Sequence, residues 1–222
     1  MKLQYLGDSK DSFKWDYHDY LLKELGYQVF NIIFMMTPDD ISNDGKSHPA
    51  LFPARKKIIE FCHYLRSGRN IRLLFELPHR TGSDYIVNLH KPEMILTNTN
   101  RKIYFSGLAK KQKQFLFLDP DNGFEPKHSN EKHILFSDIV NILEQITEDS
   151  VISVFQHFRR VTFQKDFEKI KNKLLNCYSC YSTAIYWNFL MFICLSKSQS
   201  SINKVLYANI KYSKLKPTKI IT

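Results

Sequence analysis

Three short runs constrain this chain more than anything else in it: VFNIIFMM (Val29 to Met36), FLFL (Phe115 to Leu118) and VISVFQ (Val151 to Gln156) are apolar at nearly every position. A strand with one wet face alternates apolar and polar residues. An uninterrupted run of this length instead reads as a strand covered on both faces, the situation of a parallel sheet between helices. The stretches between the runs carry helical spacing. Phe13, Tyr17, Tyr20, Leu21 and Leu25 recur every three or four residues, with Ser12 placed as N-cap and Gly26 as C-cap. Ala54 to Leu65, the second half of Lys132 to Ile146, and Phe163 to Leu175 continue the helical set. Ile71 to Leu77 reads as another strand stopped by Pro78, YIVNL and KIYF as weaker strand-like pieces, and Ala184 to Leu195 with Lys204 to Tyr212 as a closing pair. Strands alternating with helices give an α/β fold: a doubly wound, largely parallel, Rossmann-like sheet with a C-terminal antiparallel strand pair. One domain is expected over residues 1–215, followed by a basic mobile tail over 216–222.

The chain has 222 residues, 43% of them hydrophobic, enough for one full core. Lys and Arg number 32 against 22 acids, a formal charge of +10. That surplus suits a polyanion, with nucleic acid first and an anionic membrane surface second, although a lysine-rich background gives the same excess. The four cysteines are too sparse for a disulfide framework, and the lone Cys177–Cys180 pair lacks the second half of a zinc site. The N-terminus lacks the apolar core of a signal peptide, and no apolar run reaches the roughly 18 residues that cross a bilayer. The expectation is a soluble, cytoplasmic protein with no membrane association.

Parallel strands place their carboxyl ends along one edge, and ligands of open α/β sheets bind there, near the switch in strand order. Asp8, Asp39 with Asp40, Asp119 with Asp121, and Gln156 with His157 each follow an expected strand. Glu76 and His79 would join them if Ile71 to Leu77 is a strand. Acids gathered in a partly dehydrated cleft raise one another's pKa unless a cation neutralises them. A hard divalent ion, Mg2+ or Mn2+, held by Asp8, Asp119 and Asp121 with help from Asp39 or Asp40, resolves that conflict and suits phosphate chemistry. His157 is then the candidate general base, and Lys14 and Arg160 the candidate phosphate ligands, with Arg159 beside them.

Each part has a plainer role. Asp-Pro-Asp-Asn-Gly is turn chemistry in its own right, Thr37-Pro38-Asp39-Asp40 reads equally well as a strand-to-loop turn, and Arg159-Arg160 as a solvated face. The P-loop pattern, HExxH and the GxSxG elbow are absent, which leaves no support for P-loop nucleotide binding, zinc proteolysis or Ser-His-Asp hydrolysis.

Four blocks carry a resemblance. Tyr5-Leu6-Gly7-Asp8 with Asp11 and Lys14, Thr37-Pro38-Asp39-Asp40 with Asp44-Gly45, Phe117 to Gly123, and Gln156-His157-Phe158 with Arg160 resemble an uncharacterised family of bacterial and phage proteins that holds them in the same order. The resemblance spans residues 5–160 and implies a shared site without naming a reaction. Asp119-Pro120-Asp121-Asn122 is also similar to the strand-end motif of class I methyltransferases. Their glycine-rich cofactor loop has no counterpart after the first strand, so a methyltransferase-like fold is implied more strongly than S-adenosylmethionine binding. Phosphatases of the haloacid dehalogenase type share Asp-x-Asp, but place it near the start of the domain.

The expected function is a metal-dependent nucleic-acid phosphodiesterase or nuclease, a hydrolase of phage defence or a mobile element, with room for a protein partner in a multi-component system. The alternatives are a methyltransferase-like protein, active or degenerate, and a non-enzymatic basic module that binds nucleic acid.

Overall fold

The computed structural model describes residues 2–38, 45–108 and 112–222. Its elements begin with α1 (Ser9–Leu25), β1 (Val29–Phe34), α2 (Lys56–Gly68), α3 (Leu77–Thr81), β2 (Ile86–Leu89) and α4 (Arg101–Tyr104). The middle of the chain gives β3 (Phe115–Asp119), β4 (Gly123–Phe124), β5 (His133–Ile134), α5 (Phe136–Gln145) and β6 (Val151–His157). It closes with α6 (Phe163–Tyr178), β7 (Tyr181–Trp187), β8 (Leu190–Ser196), α7 (Gln199–Leu215) and β9 (Lys219–Ile221).

Among the described residues the main sheet has seven strands in the order β2-β1-β3-β6-β8-β7-β9, and β4 pairs with β5 in a separate two-stranded ribbon. The first four strands are parallel; β8 runs antiparallel to β6 and β7, and β9 runs antiparallel to β7. The architecture is therefore α/β with a mostly parallel centre, but the sheet is mixed, which corrects the expectation of a doubly wound one.

The unbroken apolar runs have the reason the sequence suggests. Phe30, Ile32, Phe34, Phe115 and Phe117 pack with α1, α2 and α7, whereas Ile33, Met35, Leu116, Leu118, Ile152 and Val154 pack with α5 and α6. Alternate side chains of each strand thus enter two cores, one on each face. Each fully buried Phe or Ile contributes about 1.5–3 kcal/mol relative to exposure.

Several elements differ from their sequence expectation. Ile71–Glu76 is a 3-10 helix running into α3, not a strand. Its apolar residues are buried at 71, 74 and 77 while Arg72 and Phe75 face water, a period of three rather than two. Glu76 accordingly pairs with Arg80 and accepts from Tyr64, outside any strand end. Lys102 to Phe105 lies on α4 and the residue after it. The closing pair is β7 with β8, while Lys204 to Tyr212 lies on α7, where Val205, Ala208 and Tyr212 are buried at helical spacing. Where a mobile tail is expected, Lys219–Ile221 forms an edge strand against β7. No helix among the described residues is long and apolar enough to cross a membrane.

Candidate active site at the carboxyl edge of the sheet

From β1 the chain moves to β2 on one side and later returns to β3 on the other. The crevice outside the carboxyl ends of β1 and β3 is therefore the switch point of the sheet, where open α/β sheets bind ligands. A recess of about 50 Å³ opens there, lined by residues that include Asp8, Asp11, Lys14, Asp119, Asp121 and His157. A water occupies about 30 Å³ of liquid, so the recess has room for one or two waters or an ion, while a larger ligand would sit across its mouth.

Asp8 reaches the crevice by a route the sequence does not suggest. Leu3–Tyr5 is a 3-10 turn rather than a strand, and Asp8, not Ser12, is the N-cap of α1. Its Oδ1 accepts the backbone N–H groups of Lys10 at 2.8 Å and Asp11 at 3.0 Å. Asp11 Oδ2 accepts the N–H of Gly7 at 2.8 Å. Gly7 has φ +80, and a Cβ there would lie 2.2 Å from the Cys62 carbonyl oxygen, so only glycine lets the chain enter this close to α2. Asp8, Asp11 and Lys14 are three residues apart, which sets them on one face of α1.

Lys14 is the electrostatic centre of the group. Its side chain is 5% exposed, and its Nζ lies 2.9 Å from Asp11 Oδ1 and donates to Asp119 Oδ2 at 2.8 Å. Burial pushes the ammonium down, but the charges of Asp11 and Asp119 outweigh it and hold its pKa above the usual lysine range. Burial pushes Asp119 above the usual carboxylate range despite Lys14. Burial and the neighbouring Asp11 raise Asp8 to about 6, against an ordinary 3.8. Lys14 thus sits between two carboxylates, with Asp8 raised beside it.

The turn after β3 is a bend that also lines the recess. Thr37 Oγ1, following β1, donates to Asp121 Oδ2 at 2.5 Å and ties the two loops across the switch point. Gly123 has φ +93, and a Cβ there would meet Gln156 Oε1 at 2.2 Å. Gln156 Oε1 accepts the N–H of Phe124 at 2.8 Å, while its Nε2 donates to Asp166 Oδ2 at 3.1 Å. Half-buried His157 ends β6 with its Nδ1 3.1 Å from the Phe158 carbonyl oxygen. A carbonyl only accepts, so Nδ1 is the donor of this bond and Nε2 is the ring nitrogen left for another partner.

The structure thus brings Asp8, Asp119, Asp121, Lys14 and His157 to one recess. Lys14, expected to hold phosphate, is instead an internal counter-ion, enclosed by carboxylates. Arg160 is exposed, adopts a left-handed conformation (φ 61) and does not line the recess. Asp39 and Asp40 fall outside the described residues, as does Asp44. Asp11 is the recess residue that strand-end reasoning misses; the spacing of three from Asp8 to Asp11 to Lys14 is its signal.

The donor set is hard oxygen, which fits a divalent cation by chemistry. It is incomplete as a cage: among the described residues no three His, Cys, Asp or Glu side chains are placed to share an ion. Asp11 and Asp119 are committed to Lys14. Burial pushes Asp121 up, but nearby positive charge, that of Lys2 included, and the Thr37 hydroxyl hold it below the usual carboxylate range, so an ion at Asp8 and Asp121 would compete with contacts already made. Comparison with models of known protein families and with curated proteins finds no match for this chain.

Proposed function

We propose that the protein hydrolyses phosphodiester bonds of nucleic acid at this crevice. The observation that carries the proposal is the meeting of an acid-rich α1 N-terminus, the Asp119–Asp121 turn and His157 at the switch point of the sheet, in a chain of formal charge +10. His157 Nε2 takes the proton of the attacking water as its oxygen bonds to phosphorus, the ester P–O bond breaks, and the leaving oxygen takes a proton from solvent. Lys14 holds Asp11 and Asp119 in place and offsets part of their charge beside the reacting phosphate. Asp8 and Asp121 are the residues that would hold Mg2+ or Mn2+, which would supply charge stabilisation to the phosphoryl oxygens.

The test incubates the full chain with single- and double-stranded DNA and RNA, with Mg2+ or Mn2+ and with chelator. Cleavage by the wild type and its loss in Asp119→Asn and Asp121→Asn, both checked for folding, are expected. No cleavage of any substrate, or cleavage undiminished in both folded variants, overturns the proposal. Ion binding has a separate readout: Mg2+ should raise the unfolding midpoint of the wild type and leave that of Asp8→Asn unmoved.

A second function is favoured by one feature of the sheet. The hairpin that sets β8 antiparallel between β6 and β7, after parallel strands with Asp119-Pro120-Asp121-Asn122 at a strand end, resembles a methyltransferase-like fold. Calorimetric titration with S-adenosylmethionine separates the two, since a phosphodiesterase gives no heat of binding.

A further inference from the structure

Beside the crevice, on the α6 side, lies a larger recess of about 710 Å³. We infer that this recess binds the phosphate backbone of a single nucleic-acid strand and delivers it to the crevice. The inference rests on the nucleic-acid proposal above and names the surface and the form of the substrate.

The first observation is charge. Lys165, Lys169 and Lys173 line the recess from α6, and Lys127 lines it from the loop opposite. The three α6 lysines are four residues apart, so they form one stripe along the helix, and all three are exposed. Like charges at that spacing destabilise a helix by about 0.2–0.5 kcal/mol per pair. Glu168, the exposed acid between Lys165 and Lys169, accepts from Gln164 at 2.8 Å, and the acids that line the recess have other partners. Asp166 binds Arg159 through Nη2 at 2.6 Å and Nε at 3.2 Å, and Glu125 lies 3.8 Å from Lys173. Lys127, Lys165 and Lys169 make no ion pair among the described residues. The recess therefore offers a row of cations above a floor made rigid by the Arg159–Asp166 pair.

The second observation is an aromatic recess on the same edge. About 250 Å³ in volume, it is lined by Ser9, Lys10, Trp187 and Phe189 among others, and shares Lys10 with the crevice. Phe189 is 64% exposed at the β7–β8 turn. Its ring lies 5.8 Å from that of Phe158, whose ring lies 5.7 Å from that of Phe163 at the start of α6, so an aromatic chain runs from this recess to the helix that carries the lysines. A row of cations that tracks a backbone, beside an exposed aromatic face on which an unstacked base can lie, is what a single strand requires. A duplex keeps its bases stacked on one another and has no use for Phe189.

The test measures fluorescence anisotropy of labelled single-stranded 12-mers of DNA and RNA, and of the matching duplex, against the full chain over a series of salt concentrations. The chains compared are wild type, Lys165→Glu/Lys169→Glu, Phe189→Ala, and a charge-matched control on α7, Lys204→Glu/Lys214→Glu. The wild type should bind the single strand more tightly than the duplex. The α6 variant should bind roughly tenfold more weakly or worse, with the slope of log affinity against log salt shallower by about 1.4, while the α7 control stays within about twofold. Phe189→Ala should weaken single-strand binding roughly fivefold or more and leave duplex binding unchanged. Equal losses in the α6 and α7 variants, or duplex binding as tight as single-strand binding, overturns the inference. Localised binding without cleavage by any chain would sink the hydrolase proposal and keep this one. Cleavage that survives the α6 variant at wild-type rate would do the reverse.

Discussion

Replacing Asp8 with asparagine isolates the charge of that carboxylate from its capping role. Asparagine caps helices about as well as aspartate, so the two N–H groups of Lys10 and Asp11 keep an acceptor. The folded-state pKa is about 6 and the ordinary value 3.8, with burial the main cause and Asp11 the second. A folded value above the unfolded one means that the group favours the fold when protonated. Its contribution is intact below about pH 4 and is lost as pH rises through 6. With each pKa step equal to about 1.4 kcal/mol, the loss amounts to about 3 kcal/mol at pH 8. The amide of the variant never ionises and loses nothing, apart from about 0.5 kcal/mol of helix-dipole attraction for the anion. Asp8→Asn should therefore be more stable than wild type by about 2–3 kcal/mol at pH 8 and equal to it at pH 4. Urea unfolding at both pH values, at matched ionic strength and without divalent ions, reads the difference directly. A variant no more stable than wild type at pH 8, or one whose advantage is the same at both pH values, would refute the electrostatic account of the crevice.

Two further outcomes follow from the packing. Asp19 Oδ1 accepts from Thr81 at 2.8 Å, Ser83 at 2.7 Å and Tyr85 at 2.8 Å, and Oδ2 pairs with Arg55 at 2.8 Å, so Asp19→Ala strands buried donors and should lose about 3–5 kcal/mol in urea unfolding. Burial pushes that carboxyl up, but Ser83, Arg55, Thr81 and Tyr85 together hold it below the usual range. Its contribution is thus present above the unfolded value near 3.8 and lost as pH falls below it, and the wild-type advantage over Asp19→Ala should shrink with acidification. Gly123→Ala places a Cβ against Gln156 at a positive φ, and should lose about 1–3 kcal/mol in urea unfolding and lower cleavage by the folded protein.

The sequence makes the central strands legible because their chemistry is local: a run with no polar gaps can be buried on both faces and little else. It makes the meeting of Asp119, Asp121 and His157 legible through one topological rule, whereas Asp8 arrives as the N-cap of α1 and not from a strand end. Ile71 to Leu77 misleads because its apolar residues satisfy a strand by content, and only burial at every third position distinguishes the tighter helix. Lys204 to Tyr212 misleads because a β-branched start hides a helical stripe that packs on α1 and the sheet. Lys14 could not be assigned its part, since an ammonium paired with Asp119 depends on a contact across 105 residues of sequence. The basic recess depends likewise on the loop at Lys127 lying opposite α6.

Gln156 touches both halves of this edge. Its amide oxygen steadies the bend that carries Asp121, and the amide nitrogen of the same side chain reaches Asp166, the anchor of the basic floor. In the proposed binding mode a strand on that floor bears on the same side chain that steadies the bend, so moving Arg159 or Asp166 would shift Asp121 without touching it.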